Sequence, residues 1–232
     1  MTAEIGSDNK IDIDNIGQPC WDTDVAHYHH GDLRAALLAR ASEVIAESGI
    51  EKMSLRSLAR DLGVSHGAPR NHFADRDELV AALATEGCRR ATEVMQSAAT
   101  TAGEFPLGRL RAQATAYIRL AIDEPALFRA MNHPEVWRDP APEMTAALAE
   151  WMQAVRINAE VAHRQGWNAH LSTDAAATAA VAAIVGAADV LSHNSWLQEL
   201  GANDASSMIE PVIAGLFPEA PGDDRPTDRR TP

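Results

Sequence analysis

The fold is decided by residues 54–73, SLRSLARDLGVSHGAPRNHF. Four apolar residues of this stretch recur at spacings of three and four, and they are Leu55, Leu58, Ala59 and Leu62. That spacing places them on one face of a short helix, for which Ser54 is a suitable N-cap. Gly63 permits a tight turn, and Ser65 then caps a second helix, predicted over residues 66–72. The stretch therefore predicts a helix-turn-helix.

The second helix of such a unit faces the base edges in a major groove. The predicted DNA-contacting residues are Ser54, Arg56, Ser65, His66, Gly67, Ala68, Arg70, Asn71 and His72. Arg70 has the donors to pair with guanine, and Asn71 can pair with adenine or a phosphate. Phe73 is expected to anchor the end of the helix in the core. The alternative is a plain helical hairpin that contains Gly and Ser by chance.

The wider stretch 28–78 resembles the N-terminal domain of tetracycline-repressor (TetR) family transcription regulators. Three motifs carry the resemblance: ASEVIAESG at 41–49, LRSLARDLGVS at 55–65 and NHFADRDEL at 71–79. Residues 114–131 more loosely resemble the effector-binding domain of one branch of the family. The resemblance implies a homodimer that binds a palindromic operator and usually represses until a small ligand releases it. Arg70 departs from it, because the family usually has a Tyr there that supports phosphate contact.

The chain predicts an all-α fold of about nine helices. Its 232 residues are rich in Ala and only 5% aromatic, which favours helices over strands. We predict four segments: an acidic tail 1–28, a DNA-binding domain 29–76, an effector-binding and dimerisation domain 77–217, and a second tail 218–232. The predicted helices are 32–48, 55–62, 66–72, 76–97, 106–122, 125–131, 143–165, 173–194 and 203–216. Gly49 is expected to end the first helix and Asp75 to cap the fourth, while 133–142 is expected to be a loop.

The formal net charge of −13 is at first an argument against nucleic acid as a partner. The acidic residues, however, are unevenly distributed. Residues 1–28 have a net charge of −5, whereas 29–74 carry six basic and five acidic residues together with four His. The charge therefore does not exclude DNA, and it predicts weakly electrostatic binding with a shallow salt dependence. Asp22 and Asp24 argue against a minor-groove contact by the segment before the first helix.

A set of bulky residues in the second half predicts an effector pocket. Its members are Tyr117, Phe128, Trp137, Met144, Trp151, His163 and Trp167. Apolar and aromatic side chains with a few polar groups are typical of small-molecule sites, so we expect a largely apolar effector. The alternative is ordinary core packing of the same residues.

Two helices near the C-terminus predict the dimer interface. Residues 173–194 are rich in small side chains, and with 203–217 they can form a four-helix bundle across a two-fold axis. Pro211 is expected to kink the second helix. The alternative is an ordinary buried helix of a monomer.

The apolar run 175–191 contains Gly186 and Asp189, so it is more typical of a buried helix than of a membrane span. The sequence therefore predicts a cytoplasmic protein.

The rival function is a helical metal-dependent enzyme built on Glu160 with His163 or on Asp189 with His193. We predict no metal and no cofactor, because neither pair has a complete set of ligands. Another possible metal cluster is His27, His29 and His30. A third reading is an interaction module that has lost DNA binding. The two cysteines, Cys20 and Cys88, are too few for a disulfide framework.

Overall fold

Helices account for all the regular structure in the part of the chain that the structure describes. The computed structural model describes residues 33–202 and 204–218, apart from the side chain of Asn194. The α-helices are α1 (Leu33–Ser48), α2 (Leu55–Asp61), α3 (Arg76–Thr101), α4 (Pro106–Asp123), α5 (Pro125–Met131), α6 (Pro134–Arg138), α7 (Pro142–Arg164), α8 (Thr173–Ser192), α9 (Asn194–Glu199) and α10 (Ala205–Leu216). Two 3-10 helices, Ile50–Lys52 and Ala68–Asn71, interrupt the first part. The predicted all-α fold is confirmed.

Some predictions lie outside the described residues. They are the tail 1–28, the histidines 27, 29 and 30, and all but the first residue of the tail 218–232.

Local hydrogen bonds fix the start of α2 as the sequence predicts. Ser54 Oγ accepts from the main-chain N–H of Ser57 at 3.1 Å, and Ser57 Oγ accepts from the N–H of Ser54 at 3.2 Å. This reciprocal capping satisfies two N–H groups that the first turn leaves open. Gly63 adopts φ 67° in the following turn, a conformation that a side chain would strain.

The predicted second helix over 66–72 is wrong in type and extent. Residues 66 and 67 form a turn, and a 3-10 helix follows from Ala68 to Asn71 with Gly67 as its N-cap. Ser65 does not cap it by its side chain; its carbonyl accepts from the N–H of Ala68 at 3.0 Å. Pro69 lies in the first turn of this element, where its missing N–H costs nothing, and the element ends after four residues at Asn71.

An ion pair holds α1 against α2. Arg40 on α1 donates from Nη2 and Nε to the carboxylate of Asp61, at 3.1 and 3.2 Å. These hydrogen bonds from Arg40 lower the pKa of the Asp61 carboxyl from its ordinary value. The link orients the helix-turn-helix against the helix that precedes it.

The rest of the chain is a helical body in which α3 is central. α3 packs against α4, α5 and α7, and α8 packs against α4 and α7. The core continues from Leu37 and Ile45 of α1 to Ile213 of α10. Since α5 also packs on α1, the body contacts the N-terminal helices directly.

The predicted loop at 133–142 is also wrong, because it contains the short helix α6. Pro134 occupies its first turn, where the missing N–H costs nothing and the fixed φ favours a helix. Glu135 and Arg138 pair across the single turn at 2.6 Å. The predicted helix 173–194 is likewise divided at His193, where α8 ends and α9 begins.

α8 is long and apolar enough to cross a membrane by length and composition alone. In the fold one face of the helix is buried, and its buried side chains are Ala176, Ala177, Ala180, Ile184, Ala188 and Leu191. The helix packs against α4 and α7.

Gly87 allows α3 and α5 to approach closely. A Cβ on Gly87 would lie 2.6 Å from Cγ of Met131 and 3.2 Å from the carbonyl oxygen of Leu127. We expect Gly87→Ala to destabilise the protein by about 1–2 kcal/mol, because the overlap outweighs the helix propensity that Ala adds. Chemical denaturation followed by circular dichroism measures the change.

Two variants separate the overlap from the higher helix propensity of Ala. Gly108→Ala, where the added Cβ makes an ordinary 3.6 Å contact with Phe105, should not be destabilising. In a Met131→Ala background, Gly87→Ala should be less destabilising than in the original chain, since the overlap with the Met131 side chain is gone and only the 3.2 Å approach to the Leu127 carbonyl remains. A stabilising effect of Gly87→Ala in the original chain would contradict the close approach.

Candidate nucleic-acid interface and ligand sites

The helix-turn-helix and the start of α3 form a concave surface, and the groove that it borders has a volume of about 690 Å³. Its lining residues are Ser54, Leu55, Arg56, His66, Gly67, Arg70, Ala74, Asp75 and Arg76. Three guanidinium groups and one carboxylate belong to this set, so the surface is positively charged at neutral pH. A positive concavity beside helix N-termini is suited to bind phosphate groups. We call it the arginine surface.

The arginine surface includes Ser54, Arg56, His66, Gly67 and Arg70 from the predicted DNA-contacting set. The remaining predicted residues are Ser65, Ala68, Asn71 and His72, which are not part of its lining. All of these are exposed except Ala68, which is half-buried. Sequence reasoning missed Arg76, for which the available signal was its position directly after the helix cap Asp75.

The arginines of this region differ in their partners. Arg60 pairs with Asp61 at 3.3 Å, and Arg76 pairs with Asp77 at 3.2 Å. Arg56 and Arg70 are exposed and pair with no carboxylate of the described residues. Their guanidinium groups are therefore available to an anion without breaking an existing ion pair.

The start of α3 is fixed by reciprocal hydrogen bonds. Asp75 Oδ1 accepts from the N–H of Glu78 at 2.9 Å, and Glu78 Oε2 accepts from the N–H of Ala74 at 2.6 Å. Both carboxylates lie where the helix dipole favours negative charge. This arrangement positions Arg76 at the edge of the arginine surface.

Three of the predicted effector residues meet in an aromatic cluster inside the body. The ring of Tyr117 on α4 lies 6.0 Å from that of Phe128 on α5, edge to face, and 5.2 Å from that of Trp151 on α7. All three side chains are buried, and burial raises the pKa of Tyr117. Met144 is nearby in the core, with its Sδ 4.0 Å from Sγ of Cys88.

The other predicted effector residues, His163, Trp167 and Trp137, make their contacts with residues outside this cluster. His163 Nδ1 is 3.0 Å from the carbonyl oxygen of Trp167, whose ring packs 5.7 Å from that of Phe217. Trp137 lies at the surface with 39% of its area exposed, and its Nε1–H donates to the carbonyl of Met131 at 2.8 Å. The structure therefore divides the predicted set rather than gathering it in one place.

Several buried polar atoms of the body have no hydrogen-bond partner among the described residues. They are Nε1 of Trp151, Nε1 of Trp167, Oε1 of Gln113 and Nδ1 of His133. A buried donor or acceptor without a partner costs about 1–3 kcal/mol. Such atoms mark places where a bound molecule with matching donors and acceptors gains affinity.

A separate cavity of about 380 Å³ lies where the body meets the end of α1. Its lining residues are Gly49, Ile50, Glu51, Ala121, Pro125, Phe128, Arg129, Asn132, His133, Pro134, Asp189, Ser192 and His193. We call it the junction cavity. Of the predicted effector residues its lining includes Phe128, which also contacts Tyr117 of the aromatic cluster.

Arg129 connects the two sides of the junction cavity. Its Nη1 donates to the carbonyl oxygens of Ile45 at 2.6 Å and Ala46 at 3.1 Å, which belong to the last turn of α1. A cation at this position also interacts favourably with the C-terminal end of the helix dipole. The guanidinium therefore ties α5 of the body to the helix that carries the helix-turn-helix.

The residues of the enzyme hypothesis have ordinary partners. Glu160 pairs with Arg156 at 3.2 Å, and Asp189 Oδ1 lies 3.7 Å from Nδ1 of His193. Within residues 33–202 and 204–218, no group of three or more His, Cys, Asp or Glu is placed to hold a metal ion. Neither pair thus gains the further ligands that a catalytic metal requires.

Comparison with known proteins places this geometry in a family. Residues 37–83 match the family model described as bacterial regulatory proteins, tetR family. The chain is 30% identical over 145 residues to the HTH-type transcriptional repressor Rv1474c of Mycobacterium tuberculosis, which covers 59% of this chain and 75% of that protein. The chain belongs to the TetR family. It is a helix-turn-helix transcriptional regulator, and the rival enzyme function receives no support from its relatives.

Solved structures share the fold over most of the chain. A protein of unknown function from Rhodococcus sp. RHA1 superposes with a TM-score of 0.68 at 29% identity, covering 82% of this chain and 96% of that one. AibR, solved in complex with isovaleryl coenzyme A and operator DNA, superposes with a TM-score of 0.63 at 17% identity, covering 80% and 98%. The body beyond residue 83 thus also has the architecture of TetR-family proteins.

Proposed function

We propose that this TetR-family regulator is a homodimeric repressor that binds a palindromic operator and is released by a small-molecule effector. The observation that carries the proposal is the arginine surface, because the guanidiniums of Arg56 and Arg70, which pair with no carboxylate of the described residues, lie on a helix-turn-helix beside capped helix starts. Phosphate contacts from Arg56 and from the first turn of α2 position the unit on DNA. His66, Gly67, Arg70 and Asn71 are then the candidates for contact with base edges.

The proposed dimer uses α8 and α10, as residues 173–194 and 203–217 predict. The exposed face of α8 carries Ala175, Ala182 and Gly186, and α10 exposes Pro211, Ala214 and Gly215. Small side chains permit the close approach of two helices and their symmetry mates in a four-helix bundle. Two copies of the helix-turn-helix then read two half-sites.

The proposed effector binds in the body at the aromatic cluster. Tyr117, Phe128 and Trp151 supply the apolar walls, and the unpartnered indole N–H of Trp151 supplies a donor. AibR, which has the same fold, was crystallised with an acyl thioester of coenzyme A together with operator DNA. An acyl group is an apolar ligand of the kind that such walls accommodate.

The experiment that tests the proposal is selection of binding sites from random duplex DNA by the full-length protein. The expected result is an inverted repeat, because a two-fold symmetric dimer reads two copies of one half-site. Failure to enrich any sequence would support the alternative in which the fold is an interaction module without an operator.

Arg56→Ala and Arg70→Ala are expected to weaken binding to the selected operator by about tenfold each. Because the dimer has two copies, loss of a phosphate contact should also reduce the slope of log K against log salt by about 2. We expect an overall slope shallower than about −10, since each subunit presents three arginines at the surface. Fluorescence anisotropy over a salt series measures both quantities.

Arg60→Ala is the matched control on the same helix. Arg60 is exposed, pairs with Asp61 and is not part of the arginine surface, so its loss should leave affinity and slope nearly unchanged. Equal effects of Arg56→Ala and Arg60→Ala would mean that the arginine surface is not the DNA-binding site.

The division of labour follows from this proposal. Residues 29–76 bind DNA and 77–217 bind the effector and form the dimer, while the chain itself catalyses no reaction and acts in the cytoplasm. Repression and release then depend on how the body positions the helix-turn-helix.

A further inference from the structure

We propose that the junction cavity binds a small apolar carboxylic acid, and that this ligand acts by competing for Arg129. The proposal rests on the proposed function and adds the chemistry and position of an effector site. It differs from the aromatic cluster, because its lining comes from the end of α1, from α5 and from the end of α8.

The cavity combines an apolar wall with one guanidinium group. Ile50, Ala121, Pro125 and Phe128 form the wall, and they can accept a hydrocarbon or aromatic tail. Arg129 lines the same cavity, and no carboxylate of the described residues pairs with it. A guanidinium is the side chain best suited to bind a carboxylate through two parallel hydrogen bonds.

His133 supplies a second polar group to the same site. Its Nδ1 is fully buried and has no hydrogen-bond partner among the described residues, although other atoms of the residue line the cavity. A rotation of the imidazole would bring a ring N–H to the cavity, where a carboxylate oxygen could accept a hydrogen bond from it. The ligand would thus satisfy a group that the described residues leave unpartnered.

Binding of the acid would change the link between the body and the DNA-binding helices. Arg129 now donates to the carbonyls of Ile45 and Ala46 at the end of α1. A carboxylate is a stronger acceptor than a main-chain carbonyl, so a ligand that binds Nη1 together with Nη2 displaces the two carbonyls from Nη1. Loss of this tether frees α1 relative to α5, and the equilibrium shifts away from the spacing that fits the operator.

The two carboxylates that line the cavity affect the binding of a charged ligand. Glu51 and Asp189 are acidic, and Asp189 lies near His193 whereas Glu51 has no cationic partner among the described residues. Glu51 therefore opposes an anionic ligand and would favour a cationic one. Its removal must strengthen binding of an acid, while removal of Arg129 must weaken it.

Calorimetric titration of the full-length protein with 4-phenylbutyrate tests the site, with neutral 4-phenylbutanamide as the matched ligand. We expect saturable binding of the acid at millimolar concentration or below, and at least about tenfold weaker binding of the amide. Arg129→Gln should weaken binding of the acid about tenfold, and Arg129→Lys less. Glu51→Gln should strengthen it about twofold.

Arg138→Gln is the control variant, since Arg138 is exposed on the neighbouring α6 and does not line the cavity. It should leave acid binding unchanged. No saturable binding of the acid, equal binding of acid and amide, or weaker acid binding by Glu51→Gln would each overturn the proposal.

The regulatory step is tested with the operator selected above. The acid should lower operator affinity of the original protein and have no effect on the operator affinity of Arg129→Gln at the same concentration. Acid binding without any change in operator affinity would overturn the coupling. Absence of operator binding without ligand would instead count against the proposed function, so the two failures are distinguishable.

Discussion

Gly186→Arg is expected to convert the proposed dimer into a folded monomer. Gly186 is exposed on α8, and a Cβ placed there meets no atom of the described residues within 4 Å. Arg is a better helix former than Gly by about 0.7–1 kcal/mol, so the monomer itself is not weakened. In a two-fold interface, however, the substitution buries two unpaired charges and costs several kcal/mol.

The expected result is a dimer dissociation constant raised by at least about a hundredfold, measured by sedimentation velocity. Operator affinity should fall by a similar factor or more, because a monomer contacts only one of the two half-sites and loses the contacts with the other. Thermal unfolding by circular dichroism should show an unchanged helix content.

Two variants separate the interface from the added charge. Gly186→Ala should keep the dimer, since the close approach tolerates one methyl group. Gln96→Arg places the same charge on an exposed position of α3 and should leave the association unchanged. A Gly186→Arg protein that remains a dimer would mean that the outer face of α8 is not the interface.

Helix boundaries could be predicted where the signal lies within a few residues. Ser54 and Asp75 cap α2 and α3 through their own side chains, and these hydrogen bonds depend on neighbours only three positions away. Gly49 and Gly63 end the first two helices at φ 87° and 67°, as their residue type predicts. Such signals depend mainly on nearby residues, but Ser65, predicted as a cap on the same grounds, does not cap the next element by its side chain.

Two of the wrong predictions lie at prolines, and a third lies at His193, where α8 ends. The sequence predicts an α-helix over 66–72, but the element around Pro69 is a 3-10 helix. The sequence predicts a loop at 133–142, but Pro134 begins the five-residue helix α6. A proline both excludes one hydrogen bond and favours a helical φ, and which effect dominates depends on the chain that follows.

The junction cavity could not be predicted, because its polar residues come from distant parts of the chain. Glu51, Arg129 and His193 carry no shared motif, and only the packing of α5 on α1 and of α8 on α4 brings them together. The aromatic cluster was easier to predict, since bulky residues in amphipathic helices converge on the core. Trp137 and Trp167, predicted to line the same pocket, make their contacts elsewhere, with Met131 and Phe217.

Phe73→Ala is expected to lower the free energy of unfolding by about 3–5 kcal/mol. The Phe73 ring is 1% exposed and belongs to the core that α1 contributes to through Leu37 and Ile45. The guanidinium carbon of Arg34 lies 5.2 Å from the ring centroid, which adds a cation–π contact. Truncation leaves a cavity at the end of the 3-10 helix Ala68–Asn71, so operator affinity should fall as well.

Urea denaturation followed by circular dichroism measures the loss, with three variants to apportion it. Phe73→Leu keeps most of the volume and should cost less than about 1.5 kcal/mol. Arg34→Ala should cost about 0.5–1 kcal/mol, the typical contribution of an exposed cation–π contact. His72→Ala, which changes the exposed neighbour, should be nearly neutral for stability. Equal and small losses of unfolding free energy in Phe73→Ala and His72→Ala would mean that Phe73 does not anchor the 3-10 helix Ala68–Asn71 to α1. The position of Arg70 beside Arg56 on the arginine surface would then depend on other contacts.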